Sequence, residues 1–136
     1  MEREKSCGAV IYKEVNNEIY ILLLKHRKGH WSYSKGHVED NEDESTTALR
    51  EIKEETNLDV KLDTNFKTKI TYSPKPNTIK DVIYFTATPI TNYIKRQKEE
   101  IEKIEWYPIN KAFDILTYQE DKNVLTCLAE YLKNNN

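Results

Sequence analysis

Gly36-His37-Val38-Glu39-Asp40-Asn41-Glu42-Asp43-Glu44-Ser45-Thr46-Thr47-Ala48-Leu49-Arg50-Glu51-Ile52-Lys53-Glu54-Glu55-Thr56-Asn57-Leu58 is the segment around which the rest of this 136-residue chain can be read. Its second half is helical by pattern. At ~100° per residue, Ala48, Leu49 and Ile52 share one apolar flank, and neither Gly nor Pro interrupts the run from Glu42 to Thr56. On the same wheel Glu51, Glu54 and Glu55 fall within an arc of about 100° beside that flank. Like charges at i,i+3 and i,i+4 repel by a few tenths of a kcal/mol each, and by more where burial lowers the dielectric.

A divalent cation relieves that repulsion. Hard ions take oxygen ligands, and Mg²⁺ in particular is held by a few carboxylates together with waters and substrate phosphates. Gly36, with no side chain, lets its backbone approach the same ion. The bland alternative is a solvated acidic face on a surface helix. The spacing speaks against it. A Gly, five residues, a Glu, seven residues, Arg-Glu, an aliphatic, any residue, Glu-Glu, any residue, Gly and an aliphatic make up the signature of the Nudix hydrolases. The chain resembles it at Gly36, Glu42, Arg50, Glu51, Ile52, Glu54, Glu55 and Leu58. One position departs. Asn57 stands where the family has its last Gly, and Asn is the next residue best able to take the left-handed conformation that ends a helix.

Composition sets the outer bounds. The length suits one domain, residues 1–136, with burial on folding near two thirds of the unfolded surface. The net charge is −2 with 32% charged residues, so no basic field favours nucleic acid and no stable nucleic-acid complex is expected. Between Glu39 and Glu55 eight acids face only Arg50 and Lys53, a balance of −6, which repels an anionic substrate unless cations intervene. Cys7 and Cys127 lie far apart without Cys-x-x-Cys spacing, so buried free thiols are expected. No apolar run approaches the ~20 residues of a membrane span, and Met-Glu-Arg-Glu-Lys lacks the apolar core of a signal peptide. A cytoplasmic monomer without membrane partners is the expectation, with residues 134–136 fraying.

Upstream, Ser6 to Tyr12 and Ile19 to Leu24 read as a β-hairpin around Asn16-Asn17, residues that tolerate positive φ. Ile19, Ile21 and Leu23 face one side, Tyr20, Leu22 and Leu24 the other, as in a strand covered on both faces. Lys25 to His30 reads as a basic, mobile loop, either a solvated turn or a phosphate attractor. Many Nudix proteins then carry Trp-x-x-Pro-Lys-Gly; here Trp31-Ser32-Tyr33-Ser34-Lys35-Gly36 has Ser34 in the proline position.

Downstream, Asp59 to Ser73 and Ile79 to Thr88 read as strands joined by Pro74-Lys75-Pro76-Asn77. Lys98 to Trp106 leads into a strand ended by Pro108. Asn110 to Leu116 and Gln119 to Leu132 read as helices. This order of elements gives an α+β fold, an αβα sandwich with a mixed central sheet, which the Nudix resemblance also implies.

The resemblance implies a function. Gly36-His37-Val38-Glu39 and Lys80-Asp81-Val82-Ile83-Tyr84 are similar to the asymmetric diadenosine tetraphosphate hydrolase branch of the family. It implies Mg²⁺ (or Mn²⁺) on Gly36, Glu51, Glu54 and Glu55, with Glu100 as a further ligand or general base and Glu99 or Glu102 as alternatives. It also implies a nucleotide on Lys35, His37, Tyr72, Lys80 and Tyr84, with Tyr118 or Tyr131 as a second stacking face. Tyrosines in strands are more often packing residues. Arg50 lies elsewhere on the wheel and is expected to orient Glu42 or Glu51. Catalysis is assigned to Glu51, Glu54, Arg50 and Glu100: hydrolysis of diadenosine tetraphosphate to ATP and AMP. The alternatives are removal of pyrophosphate from 5′ RNA, another nucleoside triphosphate pyrophosphatase, a nucleotide sensor without turnover, and an acidic interaction module.

Overall fold

The computed structural model describes residues 1–135. It contains seven strands and three helices among them: β1 (Glu2–Val15), β2 (Glu18–His26), β3 (Trp31–Ser32), β4 (Ser34–His37), α1 (Glu44–Thr56), β5 (Val60–Tyr72), β6 (Thr78–Pro89), β7 (Ile101–Pro108), α2 (Ile109–Ile115) and α3 (Gln119–Asn134). The hairpin forms as expected, with Asn16 and Asn17 at φ 53° and 66° and Val15 opposite Glu18. Its first strand is longer than the apolar pattern suggested. Glu2–Lys5 extend it because β6 offers a parallel ladder from Thr78 to Ala87, and that pairing overrides weak local propensity.

β1 is the hub of the sheet. It pairs with β6 in parallel and with β2 and β4 antiparallel, giving the order β3-β2-β1-β6-β5, while β7 adds to β2. β2 is interior, and its alternation divides the core. Leu22 and Leu24 join Ile83, Phe85, Ala48 and Ile52 beneath α1; Ile21 and Leu23 join Val82, Tyr84, Val124, Leu125 and Leu128 beneath α3. Helices on both faces of a mixed sheet make the expected α+β sandwich. Among the described residues no helix is long and apolar enough to cross a membrane.

Several expectations are corrected. Leu49 is 41% exposed, because the buried stripe of α1 is Thr47, Ala48, Ile52, Glu55 and Thr56 and leaves Leu49 at its margin. Cys7 is buried, but Cys127 lies on the open side of α3. The span from Lys25 to His30 is only in part the basic loop expected: β2 continues to His26, and the turn closes through His26 N–H to the His30 carbonyl. Tyr84 is fully buried, edge-on to Tyr33 at 5.2 Å, so it presents no face to a base. Tyr131 packs on Phe66 and donates its hydroxyl to Asp63 at 2.7 Å, a packing residue rather than a stacking platform. Asn134 ends α3; of the tail, Asn136 lies outside the described residues.

Candidate active site

α1 begins on Asp43, whose carboxylate accepts from Thr46 N–H, and ends on Asn57 at φ 68°, whose N–H returns to the Lys53 carbonyl. Both ends are therefore set by local chemistry. Across from α1 runs β4, where Ser34 and Gly36 point to the same side because strand side chains alternate. Two residues of strand advance ~6.6 Å and one helical turn of four residues ~6 Å, so the two elements stay in step. Glu51 meets Gly36 and Glu55 meets Ser34. A Cβ at Gly36 would overlap the Glu51 carboxylate, so a larger residue here would push that carboxylate out of its present place.

Arg50 gathers the acids. It donates to Glu42 at 2.6 Å and 3.0 Å, to Glu51 at 2.8 Å, to Glu54 at 3.2 Å and to the His37 carbonyl at 2.9 Å. Glu42 is bonded to this guanidinium first, then to Glu39 N–H and Thr47, and is held down to about 2. Glu51 and Glu55 go the other way. Burial raises Glu51 against the pull of Arg50, and burial pushes Glu55 up to about 8 although Ser34 and Lys35 donate to it. Two desolvated carboxyls a turn apart, of which Glu51 is bonded to the Arg50 guanidinium and Glu55 to the Ser34 hydroxyl and the Lys35 N–H, make a site short of positive charge.

A divalent cation fits that chemistry. The donors are hard oxygens, Gly36 puts no side chain beside Glu51, and Glu55 is 2% exposed with no cationic side chain bonded to it among the described residues. Among the described residues no three ligating side chains converge into a ready-made cage. Mg²⁺ is in general held by one or two carboxylates together with waters and substrate phosphates rather than by an all-protein cage.

Glu100 arrives from a distant part of the chain. The segment after β6 is pinned to the last turn of α1 by Gln97 N–H to the Glu55 carbonyl (3.1 Å) and Lys95 N–H to the Thr56 carbonyl (3.0 Å). Glu100 N–H then closes onto the Gln97 carbonyl, and Arg27 N–H onto the Glu100 carbonyl. Its negative charge reaches Glu51 and helps to raise it.

Beside the acids lies a cationic patch. Burial and then the charge of Lys35 bring Lys80 down to about 8, and Lys28 adds to the same field. Burial, then Lys35, Lys28 and Lys80, also lower His30. Half-buried Tyr72 is raised by burial, then by Asp121 and Tyr118, so the two tyrosines share this neighbourhood. Tyr118 is half-exposed, its ring 5.5 Å from His30, and His30 stacks on His26 at 4.4 Å and 8°. The structure thus brings Lys35, Tyr72, Lys80 and Tyr118 together, removes Tyr84 to the core, and gives His37 a backbone contact with Arg50. Sequence reasoning missed His30 as an individual residue; the basic run from Lys25 was its only signal. Asp121 was missed entirely, and it is buried against Ser32 at 2.8 Å.

A model of the NUDIX domain matches residues 2–128. The chain belongs to the Nudix hydrolase family. Members of that family use divalent ions such as Mg²⁺. Among relatives of this Nudix hydrolase, the mouse bis(5′-nucleosyl)-tetraphosphatase [asymmetrical] is 31% identical, over 89% of this chain and 90% of the mouse protein. An 8-oxo-(d)GTP phosphatase of Mycolicibacterium smegmatis is 35% identical over 89% of this chain but only 40% of that protein. The crystal structure of a C. elegans Ap4A hydrolase binary complex superposes with a TM-score of 0.88 at 28% identity, covering 96% of this chain and 98% of that one.

Proposed function

We propose that this Nudix hydrolase cleaves diadenosine tetraphosphate to ATP and AMP in a reaction dependent on Mg²⁺ or Mn²⁺. The observation that carries the reading is the pairing of Glu51 with Gly36 and Glu55 with Ser34 on adjacent turns, next to a patch of Lys28, His30, Lys35 and Lys80. Acids that hold a cation thus lie beside cations that hold phosphate. Likeness to the mouse and C. elegans proteins over nearly their whole lengths supports the choice of a dinucleoside polyphosphate.

Glu51, Glu54, Glu55 and the Gly36 carbonyl would hold the ion, which when bound neutralises phosphate oxygens and makes water more acidic. Arg50 keeps Glu51 and Glu54 aimed from its anchor on Glu42. Glu100 serves as a further ligand or takes the proton of the attacking water. Water oxygen bonds to one phosphorus, the bridging P–O bond breaks, and the leaving phosphate carries away the bond's electrons. Lys35, Lys80 and His37 bind the phosphates, and Tyr72 and Tyr118 supply base-stacking faces near His30.

Incubation with diadenosine tetraphosphate, with and without Mg²⁺, followed by ion-exchange chromatography tests this. ATP plus AMP only with Mg²⁺ is expected. Two ADP molecules mean a different point of attack, and no product in either condition overturns catalysis on this substrate. The 35% identity to the M. smegmatis protein favours a second reading, a nucleoside triphosphate as substrate. A higher kcat/KM for 8-oxo-dGTP than for the dinucleotide would establish that reading instead.

A further inference from the structure

Ser34 stands where many Nudix proteins carry proline, and it is 1% exposed on β4. Its hydroxyl donates to Glu55 Oε1 at 2.6 Å. Lys35 N–H, next along the strand, donates to the same oxygen at 3.1 Å. A carboxylate oxygen offers about two lone-pair sites, so both on Oε1 are taken. Oε2 accepts no hydrogen bond among the described residues and is not a sealed, unpartnered atom. A proline at this position has no hydroxyl and leaves Oε1 with the Lys35 donor alone.

We propose that Ser34 is a positioning residue for the divalent cation: it commits Oε1 of Glu55 to the protein and restricts that glutamate to ligation through Oε2. The proposal rests on the cation site described under the proposed function. It carries a consequence for ion choice. Mg²⁺ demands a near-ideal octahedron and binds few carboxylates, whereas Ca²⁺ accepts both oxygens of one carboxylate. Occupying Oε1 therefore disfavours the larger ion, and removing the hydroxyl frees one direction on that oxygen.

Calorimetric titration of the nucleotide-free protein with MgCl₂ and with CaCl₂ tests the idea, with Mn²⁺ binding followed by electron paramagnetic resonance. For Ser34→Ala, Mg²⁺ and Mn²⁺ affinity should fall about tenfold, the usual effect of losing a partner of a metal-bound carboxylate. The ratio of Ca²⁺ to Mg²⁺ affinity should rise about tenfold. Ser34→Pro should move the ratio in the same direction, and Ser34→Thr, which keeps the hydroxyl, should restore it. Melting curves without metal report whether each variant is folded, and a general loss of stability does not move the ratio. An unchanged ratio in Ser34→Ala overturns the proposal even if both affinities drop, as does a Ser34→Thr ratio equal to that of Ser34→Ala. Wild-type protein that binds none of the ions overturns the cation site itself, and Ser34's role falls with it.

Discussion

Arg50 spends one guanidinium on four acceptor groups, which a lysine cannot do, because an ammonium lacks the planar fork that spans Glu42, Glu51 and Glu54 together. Arg50→Lys should lower kcat about 10- to 100-fold, the usual range for losing a residue that orients ligands. Unchanged turnover in Arg50→Lys, beside an inactive Glu54→Gln enzyme, would remove the orienting role and leave the cation site standing. Lys80 has a different character. Its folded pKa, about 8, lies below the ordinary 10.5, so between those values the unfolded chain binds more protons and stability rises with pH. At pH 7 its burial as a cation opposes folding. Lys80→Met should raise Tm at pH 7, abolish the rise in stability between pH 8 and 10.5, and increase KM for diadenosine tetraphosphate about tenfold by removing one charge-assisted phosphate contact. A fall in Tm, or an unaltered KM, would count against a phosphate-facing lysine.

At the scale of elements, the ends of α1 are the most testable. Asn57 holds φ 68°, where a Cβ-bearing residue without a short polar side chain is strained. Asn57→Ala should cost about 1 kcal/mol in urea unfolding, while Asn57→Gly should stay within a few tenths. Asp43→Ala, which removes the acceptor for Thr46 N–H, should also cost about 1 kcal/mol. The turn after β2 gives a pH prediction. Burial, and then the charges of His30 and Lys35, lower His26 to about 3, and its Nε2 is buried without a partner among the described residues. The unfolded imidazole titrates near 6.5, so the stability from keeping it neutral is complete above about pH 6.5 and is lost as pH falls toward 3. Tm should decline across that window, and His26→Phe, which keeps the ring stacked on His30, should flatten the decline. An equally steep profile in the variant would place the acid sensitivity elsewhere.

At the scale of the whole molecule, the site is completed by chain segments that meet only after folding. The charge of Glu100 is felt at Glu51 because the strap before β7 docks on carbonyls at the end of α1. Its side chain is exposed, so Glu100→Gln should change stability by less than about 0.5 kcal/mol and yet lower kcat about tenfold or more. Stopped assays and urea curves on the same preparation separate the two effects; full activity would exclude Glu100 from the chemistry. Much of this was legible beforehand. The spacing of Glu51, Glu54 and Glu55, the Asn57 terminus, the Asn16-Asn17 hairpin and the two-faced β2 all appear in the sequence, since each depends on periods of 3.6 or 2 and on φ preferences within a few residues. Tyr84 and Tyr72 read alike in sequence, yet one is sealed in the core and the other half-open, because sheet position decides how much of a face α3 covers. Likewise Leu49 looked like core and Ser34 like a missing proline, until β4 settled which turn of α1 faces which residue. Local chemistry thus determined which elements form and which acids share an edge. Tertiary packing alone decided how deeply Glu55 is buried, how Arg50 divides its bonds, and that Glu100, Lys80 and Tyr118 gather from distant segments, since desolvation and charge coupling belong to the assembled surroundings of a side chain.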